Sequence, residues 1–131
     1  MTRSFARILR QKNPHLARQT RFFFLVFAQN PFATSGIYFL SITEWEILAG
    51  ARSKTQQGQF QKALSRYNLI ELDTVIARHA GILLKTYYLS HGLLIPDALI
   101  AATALRHDLK LYTANIRDFQ FIKSLQLWEP V

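Results

Sequence analysis

The chain has 131 residues, of which 50% are hydrophobic, and it contains no cysteine. This length suits a single domain spanning residues 1–131, and the hydrophobic content is too high for a disordered protein. The lack of cysteine excludes disulfide bonds, thiolate metal sites and a cysteine nucleophile. The formal net charge of +8 favours a polyanionic partner, which leaves nucleic acid, acidic protein segments and membrane surfaces open.

The first half of the chain contains two predicted helices followed by a strand and a third helix. Apolar residues at helical spacing predict helices over residues 2–12 and 15–29. β-Branched and aromatic residues predict a strand over residues 37–42. Thr43 then opens a helix that runs to about Gly50.

The middle of the chain shows clear helix boundaries. A polar segment leads into a helix ending near Tyr67, and residues 69–72 form a short predicted strand. Asp73 is a suitable N-cap for a long helix over residues 74–90, which Gly92 closes.

Residues 95–119 combine a helix start with a buried strand. Pro96 suits the first helical position and Asp97 the first turn. The apolar run over residues 109–112 predicts a strand, and binding sites in open α/β sheets form beyond the carboxyl ends of strands. The polar residues that follow this strand are Thr113, Asn115 and Asp118.

A last strand is predicted over residues 125–128, so strands alternate with helices along the chain. This pattern predicts an α/β fold with a parallel sheet covered on both faces. No apolar run approaches the roughly 20 residues of a membrane span. The run over residues 22–28, which follows Arg18 and Arg21, faintly resembles a signal-peptide core, but the expectation is a cytoplasmic protein without a membrane anchor.

Three segments together resemble PIN domains, specifically the VapC-type toxins of toxin–antitoxin pairs. They are SITEWEILAGA at residues 41–51, PDALIAATA at 96–104 and TANIRDF at 113–119. The resemblance implies a three-layer α/β/α fold with a central parallel sheet. It also implies an endoribonuclease that uses Mg²⁺ or Mn²⁺ to hydrolyse RNA phosphodiester bonds. The implied partner is a VapB-type antitoxin, in a homodimer or a toxin–antitoxin hetero-oligomer.

The resemblance also assigns roles to individual residues. Glu46, Asp97 and Asp118 match acidic positions that are catalytic and hold the metal, and Asn115 stands where many relatives have an aspartate. Thr113 and Arg117 would position the substrate. The list of implied metal ligands is Glu46, Asp97, Asn115 and Asp118.

Each acid also has a purely structural interpretation that the residue pattern leaves open. Asp97 suits a helix start, where the helix dipole favours negative charge. Glu46 lies three residues after Thr43 in the pattern of a capping box. Asn115 and Asp118 are typical of the turn that follows a strand. Converging carboxylates would need a cation or a proton, because two charges about 4 Å apart repel by roughly 4 kcal/mol at an effective dielectric near 20.

One part of the family pattern is missing from this chain. VapC-type proteins begin with a strand that ends in Asp-Thr and supplies the first metal ligand, but no acidic residue precedes Glu44 here. We therefore expect the first, central strand to be missing, with a vacancy in the sheet and impaired activity. Either the start is truncated or misassigned, or this copy of the family is degenerate. The alternative function is a non-catalytic, degenerate PIN domain that binds antitoxin or RNA.

Overall fold

The computed structural model describes residues 25–28, 37–65, 67–113 and 116–128. In this part of the chain, five strands form one sheet and four helices pack around it. The strands are β1 (Leu25–Ala28), β2 (Ile37–Leu40), β3 (Asn68–Ile70), β4 (Lys110–Thr113) and β5 (Leu127–Trp128). The helices are α1 (Ser41–Ala49), α2 (Lys54–Leu64), α3 (Thr74–His91) and α4 (Ile95–Arg106), with a 3₁₀ turn at Ile116–Asp118.

The strand order across the sheet is β3-β2-β1-β4-β5. Strands β2 and β3 are parallel, and so are β4 and β5. Strand β1 runs antiparallel to both of its neighbours, pairing Phe27 with Tyr38 of β2 and with Leu111 of β4. The other four strands consequently share one direction, so β2 and β4 end at the same edge of the sheet.

Strand β1 corrects two expectations. Residues 25–28 were expected to lie in a helix, and the centre of the sheet was expected to be vacant. Instead this segment fills the central position, because its backbone satisfies the hydrogen-bonding groups of β2 and β4 that a gap would leave unpaired. The sheet is therefore mixed rather than fully parallel. The predicted helix over residues 2–12, and the part of the second one over residues 15–24, lie outside the described residues.

The core has two parts, one on each face of the sheet. Successive strand residues point to opposite faces, and accordingly Leu40 belongs to a large apolar cluster with α3 and α4, whereas Phe39 packs with α1 and α2. The smaller cluster consists of Phe39, Ile47, Phe60 and Leu64. The two clusters produce the expected three-layer α/β/α arrangement.

Helix α1 begins earlier than the sequence predicts. Leu40 is its N-cap and makes no side-chain capping bond, so the helix follows strand β2 without an intervening loop. Ser41, its first residue, donates a 3.3 Å hydrogen bond to the carbonyl oxygen of Ile70. Thr43 is therefore inside the helix, and the capping-box interpretation of Thr43 and Glu46 is wrong.

The predicted caps of α3 are confirmed. Asp73 accepts a 2.7 Å hydrogen bond from the backbone N–H of Ile76, and Gly92 ends the helix with a left-handed φ of 69°. Helix α4 starts with Pro96 in its first turn, as expected. None of the helices among the described residues has the combination of length and hydropathy that crossing a bilayer requires.

Candidate active site

The sheet edge at which β2 and β4 end organises the candidate site. Helix α1 leaves the end of β2 and carries Glu46, while Asp118 lies five residues beyond Thr113, the last residue of β4. Asp97 occupies the first turn of α4. The charge of Asp118 acts on Asp97 and that of Asp97 on Glu46, so the fold brings together the three acids that the sequence predicted.

Glu46 is half-buried, and its surroundings disfavour its negative charge. Burial raises the pKa of the Glu46 carboxyl group, and the nearby charge of Asp97 raises it further. Its Oε2 atom is buried, and none of the described residues provides a hydrogen-bond partner for it. Because a buried acceptor usually has a partner, this oxygen suits contact with a group that the protein binds.

Asp97 shows the largest perturbation in the site. Burial, followed by the charge of Asp118, raises the pKa of Asp97 to about 6. A position in the first turn of a helix has the opposite effect, because the helix dipole stabilises a carboxylate there. Helix-start preference accordingly accounts for where Asp97 lies in the sequence but not for its raised pKa, which is typical of functional sites.

Asp118 is exposed at the end of the 3₁₀ turn and contributes mainly through its charge. Among the described residues, no group of three or more His, Asp or Glu side chains is arranged to hold a metal ion. The influence of Asp118 on Asp97 does not conflict with this, because electrostatic effects reach farther than coordination bonds. A cation here would use one or two carboxylates plus water, which is how Mg²⁺ is usually held.

The remaining predicted site residues have different environments. Thr113 is buried at the end of β4, with 2% of its surface exposed, and Arg117 is exposed within the 3₁₀ turn. Asn115, the fourth predicted metal ligand, lies outside the described residues. No acid comes from β1, whose sequence is Leu-Val-Phe-Ala.

One residue with a polar atom at this site was missed at the sequence level. Thr43 is completely buried in the first turn of α1, and its Oγ1 atom makes no hydrogen bond to any described residue. Its spacing to Glu46 was interpreted as a capping signal. The same three-residue spacing places both side chains on one side of the helix, which is the signal that could have identified it.

A protein-family model and curated relatives both match this chain. The model of the PIN domain matches residues 24–123. Ribonuclease VapC10 from two strains of Mycobacterium tuberculosis, CDC 1551 and H37Rv, is 31% identical over 88 residues. The matched segment covers 66% of this chain and 66% of that relative, which is just under two thirds of its length.

Two solved structures share the fold. A toxin–antitoxin complex from Klebsiella pneumoniae contains a chain with 27% identity and a TM-score of 0.65, covering 96% of this chain and 92% of the other. VapBC-1 from nontypeable Haemophilus influenzae has 23% identity and a TM-score of 0.64, with coverage of 93% and 90%. The likeness at 23% identity supports the fold alone. The family match over 100 of 131 residues shows that the chain belongs to the PIN domain family.

Proposed function

We propose that this protein is a metal-dependent endoribonuclease that acts as the toxin of a toxin–antitoxin pair. The main support is the half-buried pair of Glu46 and Asp97, whose pKa values are both raised and which includes an unpartnered buried oxygen. Such a pair needs a proton or a cation to offset its charge. The name of the VapC10 relatives, which describes them as ribonucleases, agrees with this chemistry.

In this proposal, Glu46 and Asp97 hold a Mg²⁺ or Mn²⁺ ion together with water molecules. The exposed carboxylate of Asp118 adds negative charge that attracts the ion. When bound, the cation would activate a water molecule and stabilise negative charge on the phosphodiester. Thr113, at the end of β4, and the exposed Arg117 would orient the substrate phosphate. Asn115 keeps its proposed role as a further oxygen ligand.

The first prediction tests cation binding at Asp97. Calorimetric titration of the purified protein with Mn²⁺ should show binding that Asp97→Asn weakens tenfold or more, or about 1.4 kcal/mol. Asp108→Asn is the matched control, because Asp108 is an exposed acid with a φ of 51°, a conformation that Asn tolerates. Equal Mn²⁺ affinity in the Asp97 variant and the control would remove Asp97 from the site.

The second prediction concerns RNA binding, which the formal net charge of +8 favours. RNA affinity should fall steeply with salt, and Arg117→Ala should reduce the slope of log K against log salt by about one. Arg52→Ala is the control. Arg52 is exposed three residues after the C-terminal end of α1, the end that is farther from β2. A flat salt dependence for the unmodified protein would contradict an RNA partner.

A protein partner is supported by the exposed face of α3. Val75, Ile82 and Leu89 repeat every seven residues and expose 52%, 59% and 94% of their surfaces. Arg78 and Lys85, also exposed, lie between them on the same face. An apolar and basic surface of this kind suits an amphipathic, acidic protein segment. We propose a VapB-type antitoxin as this partner, in a homodimer or a toxin–antitoxin hetero-oligomer that acts in the cytoplasm.

A second candidate function is a non-catalytic PIN domain that binds antitoxin or RNA. It is favoured by the absence of an acid from β1 and of any three-residue metal-holding group among the described residues. RNA cleavage separates the two candidates. Cleavage that requires Mg²⁺ or Mn²⁺, stops with EDTA and is lost in Asp97→Asn would support the nuclease, whereas binding without cleavage would support the second candidate.

A further inference from the structure

Thr43 has a buried hydroxyl group for which the fold provides no partner. None of its surface is exposed, and its Oγ1 atom makes no hydrogen bond within the described part of the chain. Two other helical threonines behave differently. The hydroxyl groups of Thr86 and Thr103 donate 2.8 Å hydrogen bonds to the carbonyl oxygens of Ile82 and Leu99, four residues earlier.

The position of Thr43 explains why the same hydrogen bond is not available to it. Thr43 is the third residue of α1, so the carbonyl group four residues earlier belongs to Phe39, which lies in strand β2. A buried polar atom without a partner is unfavourable for stability and usually has a reason to be there. Valine has nearly the same shape without the hydroxyl, so packing alone does not explain a threonine at this position.

A second unpartnered buried oxygen of α1 belongs to a side chain one helical turn from this hydroxyl group. Glu46 follows Thr43 by three residues, so both side chains lie on one side of α1, and Glu46 Oε2 is also buried without a partner. Asp97 lies close enough for its charge to raise the pKa of Glu46. The unpartnered Thr43 hydroxyl group and the Glu46–Asp97 carboxylate pair, one oxygen of which also lacks a partner, form a polar site. Its chemistry suits a hydrated cation, because the cation's waters can donate to both unpartnered oxygens.

We propose that Thr43 is a positioning residue of the cation site, where its hydroxyl group holds a water molecule of the cation's hydration shell beside Glu46. The inference rests on the proposed function, since it requires a cation at Glu46 and Asp97. Thr43 does not contact the substrate. It fixes the water that links the cation to α1 and thereby favours one position of the ion.

The experiment compares Mn²⁺ affinity with the stability of the metal-free protein in three variants. Thr43→Val should weaken Mn²⁺ binding tenfold or more, within the range known for lost outer ligands, and should leave urea stability in EDTA unchanged or higher. Thr43→Ser should retain affinity within about threefold because it keeps the hydroxyl group. Thr103→Val, which removes a satisfied buried hydroxyl, should reduce stability and leave Mn²⁺ affinity unchanged.

The possible outcomes separate this inference from the proposed function. If the unmodified protein binds Mn²⁺ and Thr43→Val binds it equally well, the role of Thr43 is wrong and the proposed function stands. If Thr43→Val loses stability in EDTA, or if Thr43→Ser loses as much affinity as Thr43→Val, the residue is structural and the inference fails. If the unmodified protein binds no Mn²⁺, both proposals fail.

Discussion

At Asp97, two effects act on the pKa of the carboxyl group in opposite directions. The N-terminal turn of α4 favours the carboxylate, whereas burial and the neighbouring acid Asp118 favour the protonated form. The raised pKa shows that burial and repulsion are stronger here. The folded protein therefore holds the Asp97 carboxylate in an environment less favourable than water, and added positive charge would stabilise that carboxylate.

The third prediction follows from this balance. The pKa of Asp97 is about 6 in the folded protein and near 3.8 in the unfolded chain, so the folded state binds more protons between these values. Its contribution to stability is therefore fully present below about pH 4 and is lost as the pH rises through about 6. The raised pKa of Glu46 acts in the same direction.

Urea unfolding in EDTA between pH 4 and pH 7 measures this effect. Relative to Asp97→Asn, which cannot ionise at that position, the unmodified protein should lose stability across the interval. Unfolding with Mn²⁺ in place of EDTA should recover part of the loss at pH 7. Parallel stability curves for the two proteins would show that Asp97 is not in the environment described above.

At the scale of single elements, α3 is defined by its two ends. Asp73 caps the first turn through its side chain, and Gly92 closes the last turn in the left-handed region, where a side chain is unfavourable. Only three residues separate α3 from α4, which carries Asp97 in its first turn. The turn at Gly92 therefore sets the direction in which α4 begins.

The fourth prediction compares two glycines of this region. Gly92→Ala should destabilise the protein by about 1 kcal/mol, because alanine in the left-handed region is strained. Gly81→Ala should stabilise it by about 0.5–1 kcal/mol, because alanine favours a helix interior. A side-chain carbon at either position would meet no atom within 4 Å, so steric clash does not confuse the comparison. Urea unfolding of both variants tests it, and equal effects would contradict the assigned backbone conformations.

At the scale of the whole molecule, the sheet has four strands in one direction and an antiparallel strand at its centre. Strand β1 satisfies the backbone of its neighbours without contributing an acidic residue to the site. Its amino end, at Leu25, pairs with Thr113 at the sheet edge where β2 and β4 end, which is the edge of the candidate site. A central strand can in this way complete the sheet while leaving the acids to come from α1, α4 and the 3₁₀ turn.

The fifth prediction tests that central position with proline, which cannot donate a backbone hydrogen bond. Phe27 and Ala28 have paired strands on both sides, so Phe27→Pro and Ala28→Pro should each destabilise the protein by about 1–3 kcal/mol. In the edge strand β3, alternate N–H groups face away from the sheet. Of Leu69→Pro and Ile70→Pro, only one should therefore lose a sheet hydrogen bond. Full stability after both β1 substitutions would show that β1 is not a central strand.

The sequence by itself determined the elements whose signals are local. The caps of α3, the proline-initiated start of α4, and the alternation of strands with helices all depend on residues near each other in the chain. The choice of Glu46, Asp97 and Asp118 as candidate site acids also came from the sequence, because they lie in segments resembling one family, and their roles stay a prediction. Local chemistry was sufficient in these cases because the relevant hydrogen bonds and dihedral angles involve neighbouring residues.

Only the tertiary structure decided the features that depend on distant partners. Residues 25–28 have an apolar pattern compatible with a helix, and they form a strand because β2 and β4 offer unpaired backbone on both sides. Thr43 resembled a helix cap, yet α1 starts at Ser41, whose hydroxyl group bonds to Ile70 at the end of β3. The raised pKa values of Glu46 and Asp97 likewise arise from burial against other elements, and no local pattern in the sequence encodes that burial.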